Sequence, residues 1–127
     1  MPERPLFQVG AVKLHSGAES NWKVECDALT SEDWRGLAMQ ASELGIQSAY
    51  DVIGVPRGGI PFANALKVVL RQNDTAPVLV VDDVLTTGGS ILEVMARYPG
   101  SRGLVAFARG PLPPNVRAIW KLEASDD

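Results

Sequence analysis

The chain has 127 residues, of which 46% are hydrophobic and 21% charged, with a formal net charge of −3. This is a globular composition that argues against intrinsic disorder, and the mild negative charge excludes a general nucleic-acid coat while leaving room for a local basic pocket. Cys26 is the only cysteine, no secretory h-region follows Met1 and no apolar run approaches the ~18 residues of a membrane span, so residues 1–127 are expected to form one cytoplasmic domain with no membrane partner.

Residues 2–10 hold two prolines and little periodicity, and read as a loosely held arm. Ala11–His15 and Trp22–Asp27 read as short strands joined by a polar connection. Thr30 and Asp33 have capping-box spacing, and Trp34, Leu37, Ala38, Ala41 and Leu44 follow at helical intervals, with Gly45 as a stop. Asp51–Val55 reads as a buried strand, and Pro56-Arg57-Gly58-Gly59 as the turn into a second helix with Pro61 in its first turn. Val78–Val81 is a further buried strand, ending in Asp82-Asp83. Thr86–Ser90 leads into a third helix carrying Ile91, Val94, Met95 and Tyr98, closed by Pro99-Gly100. Gly103–Ala108 and Val116–Leu122 are the last strands. Alternating apolar strands and amphipathic helices predict an α/β fold, a parallel sheet covered by helices on both faces.

In such a sheet, ligands bind beyond the carboxyl ends of the strands. Two unusual turns fall there. In Val80-Val81-Asp82-Asp83-Val84-Leu85-Thr86-Thr87-Gly88-Gly89-Ser90, the glycines let backbone N–H groups approach an anion, the hydroxyls add donors, and the following helix points its positive end at the same spot. Carboxylates repel phosphate, so Asp82 and Asp83 must serve something else, either sugar hydroxyls or the water shell of a magnesium ion. A lone Gly-Gly would be an ordinary turn; the whole string, set between a strand and a helix, is not. A P-loop is excluded because no G-x-x-x-x-G-K-[ST] occurs.

This segment resembles the phosphoribosyl pyrophosphate (PRPP) signature of the type I phosphoribosyltransferases. The resemblance implies a PRPP-binding core with a small N-terminal hood, Asp82 and Asp83 on the ribose and a hydrated Mg2+, and Thr86, Thr87, Gly88, Gly89 and Ser90 on the 5′-phosphate. Pro56, Arg57, Gly58 and Gly59 resemble the family's pyrophosphate loop. Within the family the likeness is to the orotate-type enzymes. Leu14–Trp22 is similar to their N-terminal segment, Gly58–Ala63 to their glycine-rich turn, and Arg109 stands where they place a base-contacting arginine. Arg109, Trp22 and His15 are the implied base-binding residues. His15 replaces a usual lysine, and Ala18-Glu19 a usually basic pair, changes that make the pocket less attractive to an anionic base. The largest departure is the connection Gln72–Pro77, where family enzymes carry a strand pair and a long mobile basic loop. The resemblance implies an enzyme, a glycosyltransferase joining PRPP to a nitrogenous base, as a monomer or a homodimer. The alternative is a regulatory module that binds PRPP or a nucleotide without turnover.

Overall fold

A computed structural model of the chain describes residues 29–86 and 89–122. The two N-terminal strands and the hood expected from the sequence, with His15 and Trp22, lie outside the described residues, as do Thr87 and Gly88.

Helix α1 spans Ser31–Glu43. It begins where the sequence places it, because Thr30 and Asp33 close a reciprocal capping box. The Asp33 N–H donates to Thr30 Oγ1 at 3.1 Å, and the Thr30 N–H donates to Asp33 Oδ2 at 3.0 Å. It stops at Leu44, and Gly45 follows in the left-handed region with φ 101°.

Next come β1 (Ser48–Ala49), β2 (Val52–Gly54), α2 (Ile60–Val69) and β3 (Arg71–Gln72). They are followed by β4 (Leu79–Leu85), α3 (Gly89–Met95), β5 (Arg102–Arg109) and β6 (Val116–Leu122). Strands β2, β4, β5 and β6 form one parallel sheet in the order β2-β4-β5-β6, and β1 pairs with β3 in a separate parallel ladder.

The sheet has helices on both faces. On one, Trp34, Leu37 and Ala41 of α1 and Phe62 and Leu66 of α2 pack over Leu79, Val81 and Leu104. Trp34 and Phe62 meet with ring centroids 5.5 Å apart. On the other, Ile91 and Val94 of α3 pack with Val80, Val105 and Ala108. This face has less helix, and the β5–β6 connection helps to cover it. Residues 110–115 must return the chain from the carboxyl edge to the amino edge, about 20 Å of strand, close to the reach of about 24 Å that seven chain links allow. Pro111, Pro113 and Pro114 favour that extended path, and Leu112 packs onto the α3-side cluster.

Three expectations need correction. Val78–Val81 does not end at the acids: β4 continues through Asp82 and Asp83 to Leu85, paired along β5. The segment after α2 is not a plain connection, since Arg71 and Gln72 pair with Ser48 and Ala49 and leave Asn73–Val78 as the link to β4. The third helix ends at Met95, with turns carrying the chain past Tyr98.

Candidate active site

The two turns found in the sequence meet at the carboxyl edge of the sheet, around a cavity of about 770 Å³. Pro56, Arg57 and Gly58 line it from the first turn, and Asp82, Asp83, Thr86, Gly89 and Ser90 from the second. Ser31 and Trp34 of α1 complete the wall.

The first turn is fixed by backbone packing. The Val55 N–H donates to the Val81 carbonyl at 2.8 Å, and the Gly59 N–H donates to the Val55 carbonyl at 2.8 Å. A Cβ on Gly59 would stand 2.5 Å from that same Val81 oxygen and 2.9 Å from the Val55 nitrogen. A Cβ on Gly58 would stand 2.5 Å from Asp83 Oδ2. Gly59 is therefore required by space against the backbone, whereas Gly58 meets only a side chain and sets the first turn directly against the second acid. The Pro56–Arg57 peptide is cis. Arg57 is exposed at the cavity, which gives the turn a positive charge.

The acids occupy an irregular stretch of sheet. Leu79 and Val81 face α1 and α2 while Val80 faces α3; beyond the acids Val84 joins the first cluster and Leu85 the second. Strict alternation would reverse that pair. The neighbouring strand slips at the same level, with Ala106 and Phe107 both on the α1 and α2 side. Consecutive residues of a regular strand point to opposite faces; the slip is what lets Asp82 and Asp83 line one cavity. Asp82 is buried and Asp83 half-buried. Asp82 Oδ1 accepts from the Asp83 N–H at 2.8 Å, and Asp83 Oδ1 accepts from the Val84 N–H at 2.7 Å.

Two adjacent carboxylates beside a basic, glycine-tight turn suit a hydrated divalent cation shared with a phosphorylated ligand. Two carboxylates supply only part of the shell of such an ion and leave the rest to water and ligand oxygens; among the described residues no group of three or more Asp, Glu, His or Cys is gathered to hold a metal. At the other end of the cavity, Thr86, Gly89 and Ser90 are exposed beside the start of α3.

Arg109 closes β5 at the same edge, one strand beyond the acids, and is not among the residues lining the cavity. Some lining residues lie outside the two turns and carry no motif of their own, Leu29 among them. Trp34 was expected only as core: it is 4% exposed and also lines the cavity, as does Ser31 at the start of α1.

No family model matches the chain. It is 36% identical over 124 residues to the orotate phosphoribosyltransferase of Pyrobaculum aerophilum, a match covering 76% of this chain and 63% of that relative. The crystal structure of orotate phosphoribosyltransferase from Aeropyrum pernix superposes with a TM-score of 0.50 at 30% identity, over 70% of this chain and 69% of that one. The chain belongs to the type I phosphoribosyltransferase family. The fold is also that of the Mycobacterium tuberculosis orotate phosphoribosyltransferase in complex with PRPP, with a TM-score of 0.55 at 20% identity, over 71% of this chain and 74% of that one. The family is one of glycosyltransferases, and its parallel sheet with helices on both faces is the one found here. The chain spans just under two thirds of its Pyrobaculum aerophilum relative. Among the described residues, no helix is long and apolar enough to cross a membrane.

Proposed function

We propose that this phosphoribosyltransferase-family chain binds PRPP at the carboxyl-edge cavity and transfers its phosphoribosyl group to a nitrogenous base of the orotate type, releasing pyrophosphate. The observation that carries the reading is the abutment of Gly58 on the Asp83 carboxylate, which joins a basic turn and an acid pair in one cavity. The Thr86–Ser90 turn receives the 5′-phosphate, Asp82 and Asp83 orient the ribose, and Arg57 with the Pro56–Gly59 turn faces the pyrophosphate. Arg109, and His15 and Trp22 outside the described residues, meet the base. The bond from the anomeric carbon to pyrophosphate breaks as the bond to the base nitrogen forms. Positioning and charge stabilisation do this work, with no covalent intermediate on the protein. A Mg2+ ion held through water by Asp82 and Asp83 would offset the charge of the departing pyrophosphate.

One observation favours a second reading, binding without turnover. Asn73–Val78 closes as a tight turn, with the Ala76 N–H donating to the Asn73 carbonyl at 3.1 Å. The Thr75 N–H and hydroxyl both donate to Asn73 Oδ1. A link of this length has no reach to cover the cavity on the opposite edge of the sheet, so nothing from this region excludes water there. Turnover is accordingly expected well below the typical ~10 s⁻¹ of enzymes. Pyrophosphate release from PRPP, Mg2+ and a panel of bases tests both readings. Slow, base-dependent release supports the transferase; saturable PRPP binding with no release at high protein concentration selects the binding module; no PRPP binding sinks both.

A further inference from the structure

A second polar cavity, of about 480 Å³, opens at the amino edge of the sheet, the edge opposite the acids. Ser48, Arg102, Asn115 and Arg117 line it. The register fixes how the arginines are disposed. Arg117 pairs with Leu104, two residues along β5 from Arg102, so both arginines project from the face that carries α1 and α2. Strands about 4.8 Å apart with a rise of about 3.3 Å per residue put their Cα atoms about 8 Å apart, close enough for two long side chains to converge on one ligand. Arg117 is held: its Nη2 donates to the Leu44 carbonyl at the end of α1 at 3.0 Å. Among the described residues no carboxylate pairs with either guanidinium. Two solvent-exposed cations thus line one cavity in a chain whose net charge is −3, and a doubly charged anion between them would engage both.

We infer that this amino-edge cavity is a binding site for a small phosphate-bearing molecule, separate from the carboxyl-edge site. A dianionic phosphate group offers three oxygens, enough for two guanidinium forks and a hydroxyl or amide donor from Ser48 or Asn115. A single carboxylate offers two oxygens and one charge, and serves one fork. The wall supplies donors and backbone but no aromatic ring, so recognition rests on the phosphate and not on a stacked base. The inference does not depend on the transferase reading, since it concerns other residues at the other end of the sheet.

The test is a residue-resolved amide NMR titration of the full chain with inorganic phosphate as the probe, at constant ionic strength. Saturable shifts are expected at Gly103, Asn115 and Arg117, distinct from any response at Thr86, Gly89 and Ser90. Arg102→Gln is the safer variant, because no hydrogen bond of Arg102 is lost with it; it is expected to weaken the amino-edge response at least ~10-fold, the order expected for a lost charged hydrogen bond, and to leave the carboxyl-edge response unchanged. Arg102→Gln with Arg117→Gln should abolish the amino-edge response. Succinate at matched charge separates the ligand classes: weaker binding than phosphate supports the assignment, and tighter binding overturns it. The inference also fails if the amino-edge amides do not respond, or if folded Arg102→Gln retains the wild-type affinity.

Discussion

The turn after β2 and the turn after β4 meet at one cavity, yet they are held in unlike ways. Around Pro56–Gly59 the protein closes on itself: Gly59 lies over the hydrogen bond between Val55 and Val81, and Gly58 lies against Asp83. Around Thr86–Ser90 the described residues face outward, with Thr86, Gly89 and Ser90 exposed. Glycine in the first turn answers to the protein's own backbone. Glycine in the second, on the proposed function, answers to a phosphate. The same residue type therefore carries different information at the two places, and substitutions should tell them apart.

The largest effect is expected at Gly59. A methyl group there meets backbone atoms of Val55 and Val81, which cannot withdraw without opening the β2–β4 ladder. Gly59→Ala should cost about 3 kcal/mol, the upper part of the overpacking range, and lower the melting temperature by about 10 °C. Calorimetric melting of the variant checks it. A loss below about 1 kcal/mol would mean that the turn yields easily and that its rigidity is overstated.

Next is the acid pair. Asp82→Asn with Asp83→Asn should weaken PRPP binding in the presence of Mg2+ by about 50-fold, the scale of one or two charged hydrogen bonds, while affinity for free phosphate stays level or improves as repulsion falls. Chelating Mg2+ from the wild-type protein should bring PRPP affinity down to that of the double variant. If Mg2+ still strengthens PRPP binding to the double variant, the pair is not where the ion is held.

Gly58 sharpens the contrast with its neighbour. Its added Cβ would strike the far end of a side chain, the Asp83 carboxylate, and not the backbone. A rotamer change relieves that for about 1 kcal/mol. Gly58→Ala should therefore leave the fold nearly as stable as wild type and weaken Mg2+-dependent PRPP binding about 10-fold, about 1.4 kcal/mol. Isothermal calorimetry beside a melting curve separates the two quantities. A stability loss equal to that of Gly59→Ala, with ligand affinity intact, would erase the distinction between the two glycines.

Much of the fold was legible because local signals and tertiary structure agree. The capping box of Thr30 and Asp33 starts α1, Pro61 lies in the first turn of α2, and β6 runs Val116–Leu122 as its apolar pattern reads. What was missed depends on contacts distant in sequence. Ser48–Ala49 and Arg71–Gln72 carry no strand pattern of their own, and a two-residue parallel ladder exists only because α1 and α2 bring its halves together. Charges usually mark a strand's end, so Asp82-Asp83 read as one; the pairing of β4 with β5 carries the strand through them. The cavity's acids and turns were visible as motifs, whereas Ser31 and Trp34 were not, because only the packing of α1 on α2 turns the helix start toward the cavity.

That helix start supplies the smallest and most selective test. Thr30→Ala removes the acceptor of the Asp33 N–H, while the Asp33 carboxylate still accepts from the residue 30 N–H, so half of the capping box survives. The cost should be about 1 kcal/mol, as for other N-cap threonines, read as a shifted urea midpoint with an unchanged slope. Trp34 should stay in place, since its contact with Phe62 lies a turn beyond the cap. Phosphate binding at the Thr86–Ser90 turn should then change by less than about twofold, under 0.5 kcal/mol. A parallel loss of phosphate affinity would show that the start of α1 grips the ligand and does not merely wall the cavity, and the second turn would then share the rigid, protein-determined character of the first.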